Sequence, residues 1–386
     1  MSVGALLAAD MVSIGVSGLA QSAAVTGAAL LAIPATRIVR RSGRGPSLAA
    51  MYAIAAAGAA LTVVAATTRS PALLFAGFFL FGGGMTAGLQ ARYAAVDLAP
   101  KEQYGRHLSL VVWATTVGGV IGPNLSSIAG TSLDSFGIPT LAGPFVFSVV
   151  LFILAALLLF ILLRPDPFLV AQRASAGAAT GPAPTGSRGG MGAALRAVLA
   201  NTDARLGIAA ASVGHLVMVG VMAMTPVHIR GAGHAPAHTL RIVGIVLSLH
   251  IAGMYAFSPV MGWLSDRVGR RPVILGGIII LLAACAVAGT AGHDSTRLAI
   301  GLVLLGLGWS ATMVAGSALL SQSISQELRA SAQGLSDLVM GLAGATAGAL
   351  SGVVVHVWHY PRLTLLAAIA TLPLAVLALM RRRSAV

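Results

Sequence analysis

The sequence predicts an all-α polytopic membrane protein built as two helix bundles, and three observations carry that prediction. Hydrophobic residues make up 57% of the chain and charged residues 9%, with a mean hydropathy of +0.91, so polar groups are too few to cover a soluble globule of 386 residues. Apolar windows of about 20 residues, the length that crosses a hydrocarbon core, recur along the whole chain. The halves also share blocks of sequence. Arg41, Gly43, Arg44 and Pro46 recur as Arg267, Gly269, Arg270 and Pro272 at an offset of 226; Gly77, Gly82 and Gly84 recur as Gly301, Gly306 and Gly308 at 224; Leu108 and Ser109 recur as Leu335 and Ser336 at 227. Three blocks at nearly one offset mark a parallel internal repeat.

Taken in order, the N-terminal bundle (1–163) holds five windows, at 12–36, 48–67, 72–94, 108–127 and 144–163. Residues 164–205 follow, rich in Pro, Gly, Ala and Ser, and read as a mobile linker. The C-terminal bundle (206–386) holds six windows, at 206–228, 240–264, 272–291, 297–320, 333–355 and 362–380. Moving the window 206–228 back by 226 positions carries it ahead of Met1, so the first half lacks a counterpart to the first helix of the second. Five spans plus six is the expectation. Either that helix is absent or the start was set about one helix too late.

The formal net charge is +14, and the basic residues concentrate between windows, at 37–44, 164–205, 267–271 and 381–383. Short Lys/Arg-rich connections stay on the inside, which predicts a multi-pass protein of the plasma (inner) membrane with a cytoplasmic linker and C-terminus. The same distribution argues against nucleic acid, since the charge marks topology rather than one binding face. Cys285, the single cysteine, falls inside a window, so no intrachain disulfide forms. No cleavable leader is expected. No Ser/His/Asp order, phosphate-binding loop or CxxC is present, so the reading is neither an enzyme nor a cofactor protein. The expected partners are the lipid bilayer and a small-molecule or metal-ion substrate, with the protein a monomer.

Residues 262–272 read GWLSDRVGRRP and join two membrane-length windows. Gly262 and Gly269 let helix ends come close, and Asp266 suits either a guanidinium or a helix N-terminus. The segment resembles the signature loop of the major facilitator superfamily, G-x-L-x-D-R-x-G-R-R/K. The resemblance covers essentially the whole chain. It implies two pseudo-symmetric bundles, alternating access around a midplane site, and a conformational role for Gly262, Asp266, Arg267, Gly269, Arg270 and Arg271. In the first copy Arg40 stands where Asp266 stands. The run 117–123, VGGVIGP, resembles the fifth-helix motif of proton-coupled antiporters, although Gly118, Gly119 and Gly122 read most economically as small residues for close helix packing. Asp337, one turn inside its helix, is a proton-site or ion-pair candidate, and Asp97 lies within reach of Arg92.

Five of the nine histidines fall within the 36 residues from His215 to His250, interleaved with methionines. Met218 and Met222 are i and i+4 on one helix; His250 and Met254 are i and i+4 on the next, and such spacing stacks side chains on one face. Thioether and imidazole are a soft set suited to Cu(I). Methionine at helical spacing is also the usual filling of a helix core, and the second pair is what brings a ligand reading level with it. The text Met218-x-x-x-Met222 followed by Thr225-Pro226, then His250-x-x-x-Met254, resembles the CcoA-type copper importers of the same superfamily. That resemblance implies Met218, Met222, His250 and Met254 as metal ligands. Copper uptake is therefore the sharpest functional reading. Proton-coupled efflux of drugs or small metabolites is the alternative, and a transport-inactive binding or sensor protein the reading from another class. Counting crossings also puts His234, His238, His293, His356 and His359 outside, with His228 beside them.

Overall fold

The structure, a computed structural model, describes residues 2–12, 17–131, 138–177, 190–230 and 236–380. Among the described residues the regular elements are helices alone. Sequence reasoning assigned no helix ahead of the first span, but α1 (Ser2–Met11) stands there. At about 15 Å long it is too short to cross a hydrocarbon core by itself. Its Leu7 and Ala8 pack with Ala24 of α2 (Ser17–Ser42), Leu74 and Phe78 of α4 (Pro71–Ala94) and Phe145 of α6 (Gly143–Leu162). The span expected at 12–36 instead begins at Ser17 and continues to Ser42, because Arg40 and Arg41 in the last turn complement the negative end of the helix dipole. Between α2 and α4 runs α3 (Arg44–Thr68), and α5 (Tyr104–Thr131) follows a short 3-10 turn at Lys101–Gln103.

The linker expected to be mobile contains two helices, α7 (Pro167–Gly177) and α8 (Met191–Ala200). The reason is local: Asp166 Oδ1 accepts from the backbone N–H groups of Phe168 and Leu169, capping α7, and Phe168 is buried. The remaining helices are α9 (Thr202–Arg230), α10 (Pro236–Tyr255), α11 (Ser258–Arg267), α12 (Arg270–Gly289), α13 (Ser295–Ser323), α14 (Gln326–Ala370) and α15 (Leu372–Leu379). The window expected as one span at 240–264 falls in one membrane-length stretch, Ile242–Arg267, within which the helix breaks between α10 and α11, where Pro259 enters the first turn of α11. The last two windows form one run, Gln326–Leu379, bent at His359 (φ 61°, ψ 169°) just before Pro361. Among the described residues nine stretches are long and apolar enough to cross a membrane. That run holds two of the expected spans, and α5, 28 residues long, matches the span expected at 108–127.

The helices gather into two compact units. One comprises residues 1–98, 118–194 and 326–342; the other comprises 99–117, 195–325 and 343–386. In the first, Ala35, Leu48, Met51 and Ala87 form a core between α2, α3 and α4. The most apolar window of the 143–174 stretch holds no fully buried residue, so α6 lies at the outside of this unit, with Phe145 and Phe152 turned inward onto Phe81. In the second, α13 is central, with 72% of its window buried, and α9, α10 and α12 pack around it. Leu206, Ile274, Ile278, Ala315, Leu319 and Leu374 make up that core. Cys285 is buried there as a free thiol.

Candidate functional site

The signature loop turns at Gly269, whose φ of 109° lies in the left-handed region that glycine tolerates best. α11 meets α5 backbone to backbone: a Cβ on Gly105 would sit 2.6 Å from the Gly262 carbonyl oxygen, and one on Gly262 would strike the Gly105 carbonyl and Ser109. Asp266 fills both roles its position suggested. Its carboxylate accepts the N–H of Gly105 (2.9 Å) and of Arg106 (2.7 Å) at the start of α5, and it pairs with Arg270 at 3.0 Å. Arg270 also donates to the Lys101 carbonyl. Arg271 pairs with Asp203 at 2.8 Å and donates to the Met380 carbonyl at 2.7 Å, tying α12 to α9 and to the end of α15. Arg267 lies over the Trp263 ring at 5.3 Å.

The ionic partners in the first unit differ from the expected ones. Asp97 does not pair with Arg92. The helix that carries Arg92 ends at Ala94, so Asp97 sits on the following turn and reaches Arg44 at the start of α3, accepting from Nε at 2.8 Å and Nη2 at 3.2 Å. Arg44 Nη2 also reaches the Gln333 side-chain oxygen of α14. Arg92 pairs instead with Asp337 of α14, Nη2 to Oδ1, at 2.7 Å. Sequence reasoning gave Arg44 no role beyond the repeat. No local signal marks it, because its acid lies 53 positions away.

The soft-donor residues lie in the second unit. Met218, His250 and Met254 are buried, and Met222 is half-buried. His250 Nδ1 lies 2.8 Å from the Leu302 carbonyl oxygen of α13. A carbonyl only accepts, so Nδ1 carries the hydrogen and Nε2 keeps a bare lone pair. Among the described residues Nε2 has no partner. A Cβ on Gly306 would meet the Met254 nitrogen at 2.8 Å, and one on Gly207 the Gly316 carbonyl at 2.7 Å, so α10 and α9 both lie close on α13. Sequence reasoning missed the residue that both helices touch, Trp309. Its indole N–H donates to His215 Nδ1 at 3.1 Å, and Tyr255 meets the ring edge-on at 5.6 Å. His215 is one turn before Met218, and Tyr255 follows Met254, so each pair lies next to a residue that touches the Trp309 ring. A lone tryptophan in a glycine-rich apolar helix carries no signal of this kind. Among the described residues no three His, Cys, Asp or Glu side chains are gathered to hold a metal ion, so a metal cargo here depends on the thioethers.

Thr225 hydrogen-bonds Tyr360 at 3.0 Å, and the His228 ring is stacked between Tyr360 (4.3 Å) and His293 (6.2 Å). His356 and His359 are exposed, while His234 and the side chain of His238 lie outside the described residues. Of the 117–123 run, Val117 is exposed and a Cβ on Gly118 would meet nothing within 4 Å, so Gly118 is not a tight packing contact; the side chains from 119 lie outside the described residues.

The model of the Major Facilitator Superfamily matches residues 1–240 and 236–386. The chain is 39% identical over 375 residues to the "Uncharacterized MFS-type transporter YddS" of Bacillus subtilis (strain 168), covering 96% of this chain and 84% of that one. It is 29% identical over 342 residues to the "Riboflavin transporter RfnT" of Brucella anthropi, covering 86% and 77%. Among solved structures, the E. coli fucose:proton symporter FucP superposes with a TM-score of 0.69 at 18% identity, over 97% of this chain and 94% of that one, a likeness of fold. With its helices, its signature loop and a family match along its whole length, the chain belongs to the Major Facilitator Superfamily: it is a multi-pass membrane transporter and not an enzyme.

Proposed function

We propose that the transporter works by alternating access and carries Cu(I) inward, held by His250, Met254, Met218 and Met222. The observation that carries this reading is the imidazole of His250. It is buried, fixed in one tautomer by the Leu302 carbonyl, and left with an unshared Nε2 lone pair. That is the arrangement a metal-ligating histidine takes, where a carbonyl on the second nitrogen orients the ring and raises the basicity of the first. With this imidazole, the thioethers of Met254 on α10 and of Met218 and Met222 on α9 would form a donor set that prefers Cu(I) to hard cations. The test is cell-associated copper in cells deprived of other importers, with Cu(I) binding to the purified protein in competition with a chromophoric chelator. The wild type should raise cellular copper and bind Cu(I). Absence of both rejects the metal cargo.

A second reading rests on the His215, Trp309 and Tyr255 cluster. An indole flanked by a phenol and an imidazole suits a planar organic molecule by stacking and hydrogen bonding. The likeness to a riboflavin transporter supports that class of cargo. Riboflavin accumulation measured beside copper in the same cells separates the two readings: replacing Trp309 abolishes riboflavin accumulation if the aromatic cluster holds the cargo, and replacing Met254 abolishes copper accumulation if the thioethers do.

A further inference from the structure

α8 (Met191–Ala200) is an apolar helix with an uncovered edge. At about 15 Å it is too short to cross a hydrocarbon core, and Arg196 is its one charged residue. Three pairs spaced i, i+4 wind around it, each a further ~100° on. Ala194 and Val198 are buried; Leu195 and Leu199 are 44% and 59% exposed; Arg196 and Ala200 are exposed. A buried face, an apolar edge left open and a basic residue beyond it make the pattern of a helix that lies along a membrane surface, neither crossing the bilayer nor standing in water.

The place of α8 in the chain argues for what covers that edge. Asn201 alone separates it from α9, a membrane-length helix. Asn201 Oδ1 accepts the N–H groups of Asp203 and Ala204, and its Nδ2 donates at 3.0 Å to the carbonyl of Ser323, the last residue of α13. The corner between α8 and α9 is thus fixed where two spans end. Two residues on, Asp203 holds Arg271, which also donates to the Met380 carbonyl just past α15, and Val376, Leu379 and Met380 are all exposed. The exposed apolar flank of a membrane-length stretch therefore runs to the point from which α8 departs. Arg205, in the first turn of α9, is exposed too, so with Arg196 it puts two cations at this boundary.

We propose that α8 is a surface anchor for an anionic lipid bilayer: Leu195 and Leu199 enter the upper acyl-chain region, and Arg196 and Arg205 meet headgroup phosphates. The inference needs the membrane topology and no particular cargo. The test is a depth measurement by spin-label EPR on the full-length protein in lipid vesicles. Leu199→Cys and Ala200→Cys are labelled separately in Cys285→Ala; where that background does not fold the native one serves, because Cys285 is buried. In phosphatidylcholine the label at 199 should relax several-fold more with oxygen, which dissolves in lipid, than with a water-soluble nickel chelate, and the label at 200 should show the reverse. Adding phosphatidylglycerol should raise the ratio at 199 further, and Arg196→Gln with Arg205→Gln should abolish that rise. A label at 199 that the chelate reaches as freely as the one at 200 overturns the proposal. One screened from both reagents overturns it in favour of protein on that edge, and no response to phosphatidylglycerol overturns the choice of anionic lipid. A failure of copper binding leaves all of these readings unchanged.

Discussion

Arg44 and Arg270 hold the same place in the two copies of the repeat, yet one is sealed and the other is reached in part by solvent. The Arg44 and Asp97 side chains are 1% and 0% exposed; those of Arg270 and Asp266 are 13% and 14%. The cause lies in one substitution. In the second copy a single acid, Asp266, both pairs with its arginine and accepts the backbone N–H groups of a helix start. In the first copy Arg40 occupies that position, and the two tasks are divided. Asp97, from beyond α4, takes the guanidinium, while Asp166, from the start of α7, accepts the Gly45 N–H in the first turn of α3 at 2.8 Å. Drawing the acid from a distant segment closes the site over the charge, with Phe168 of α7 lying 5.5 Å from the Arg44 guanidinium. A sealed pair fixes one packing firmly, whereas one that water reaches in part opens at smaller cost. The degenerate copy is thus the stiffer of the two.

The largest effect follows from breaking the sealed copy. Arg44→Ala strands Asp97 as a buried, unpaired charge and should destabilise the protein by about 3–5 kcal/mol, read from unfolding in detergent. The double change Arg44→Met with Asp97→Leu should recover most of that loss, since an apolar pair of similar volume removes the charge altogether. If the double variant is as unstable as the single one, the network with Gln333 matters more than the charges.

A middle effect belongs to the backbone contact of the open copy. Gly262→Ala pushes a methyl into the Gly105 carbonyl and Ser109, atoms of a packed helix that has little room to yield. Overpacking of this kind costs about 1–3 kcal/mol. The same melting experiment checks it, and Ser109→Ala beside it should restore only part, because the carbonyl remains. Asp266→Asn comes next. It keeps the shape but weakens three charge-assisted contacts that are partly solvated, so about 1 kcal/mol of stability should be lost. Its clearer effect should be on cysteine accessibility along α5 and α11, because the start of α5 loses its anionic cap. Unchanged accessibility would leave the loop as a topology signal only.

These contrasts also show what a sequence can and cannot disclose. The spans were legible because about 20 apolar residues have little else to do. Asp266 was legible because an acid flanked by glycines between two helices has few partners, all nearby. Asp97 was misread for the converse reason. Arg92 is five positions away, but α4 stops between them, and the end of a helix decides which way the next turn faces. The 164–205 stretch was misread because its composition is averaged, whereas Asp166, Pro167 and Phe168 form a compact start signal inside it. Trp309 was missed because its meaning lies in His215 and Tyr255 arriving from two other helices.

The smallest expected effect on stability is also the sharpest on function. Met254→Leu and Met218→Leu keep volume and apolarity at buried positions beside α13, so each should cost less than about 1.5 kcal/mol. Neither touches the hydrogen bond from His250 to Leu302, and neither lies in the ion pairs compared above, so the fold and both loop copies should be unperturbed. The sulfur is all that is lost. If the methionines are core filling, copper and riboflavin accumulation should both match the wild type. If they are ligands, Cu(I) accumulation should fall at least tenfold while unfolding stays near normal, and His250→Gln, which keeps an amide for Leu302 but offers no imidazole nitrogen, should fall as far. A loss of copper accumulation in Trp309→Phe alone, with both methionine variants active, would move the cargo site from the thioethers to the aromatic cluster.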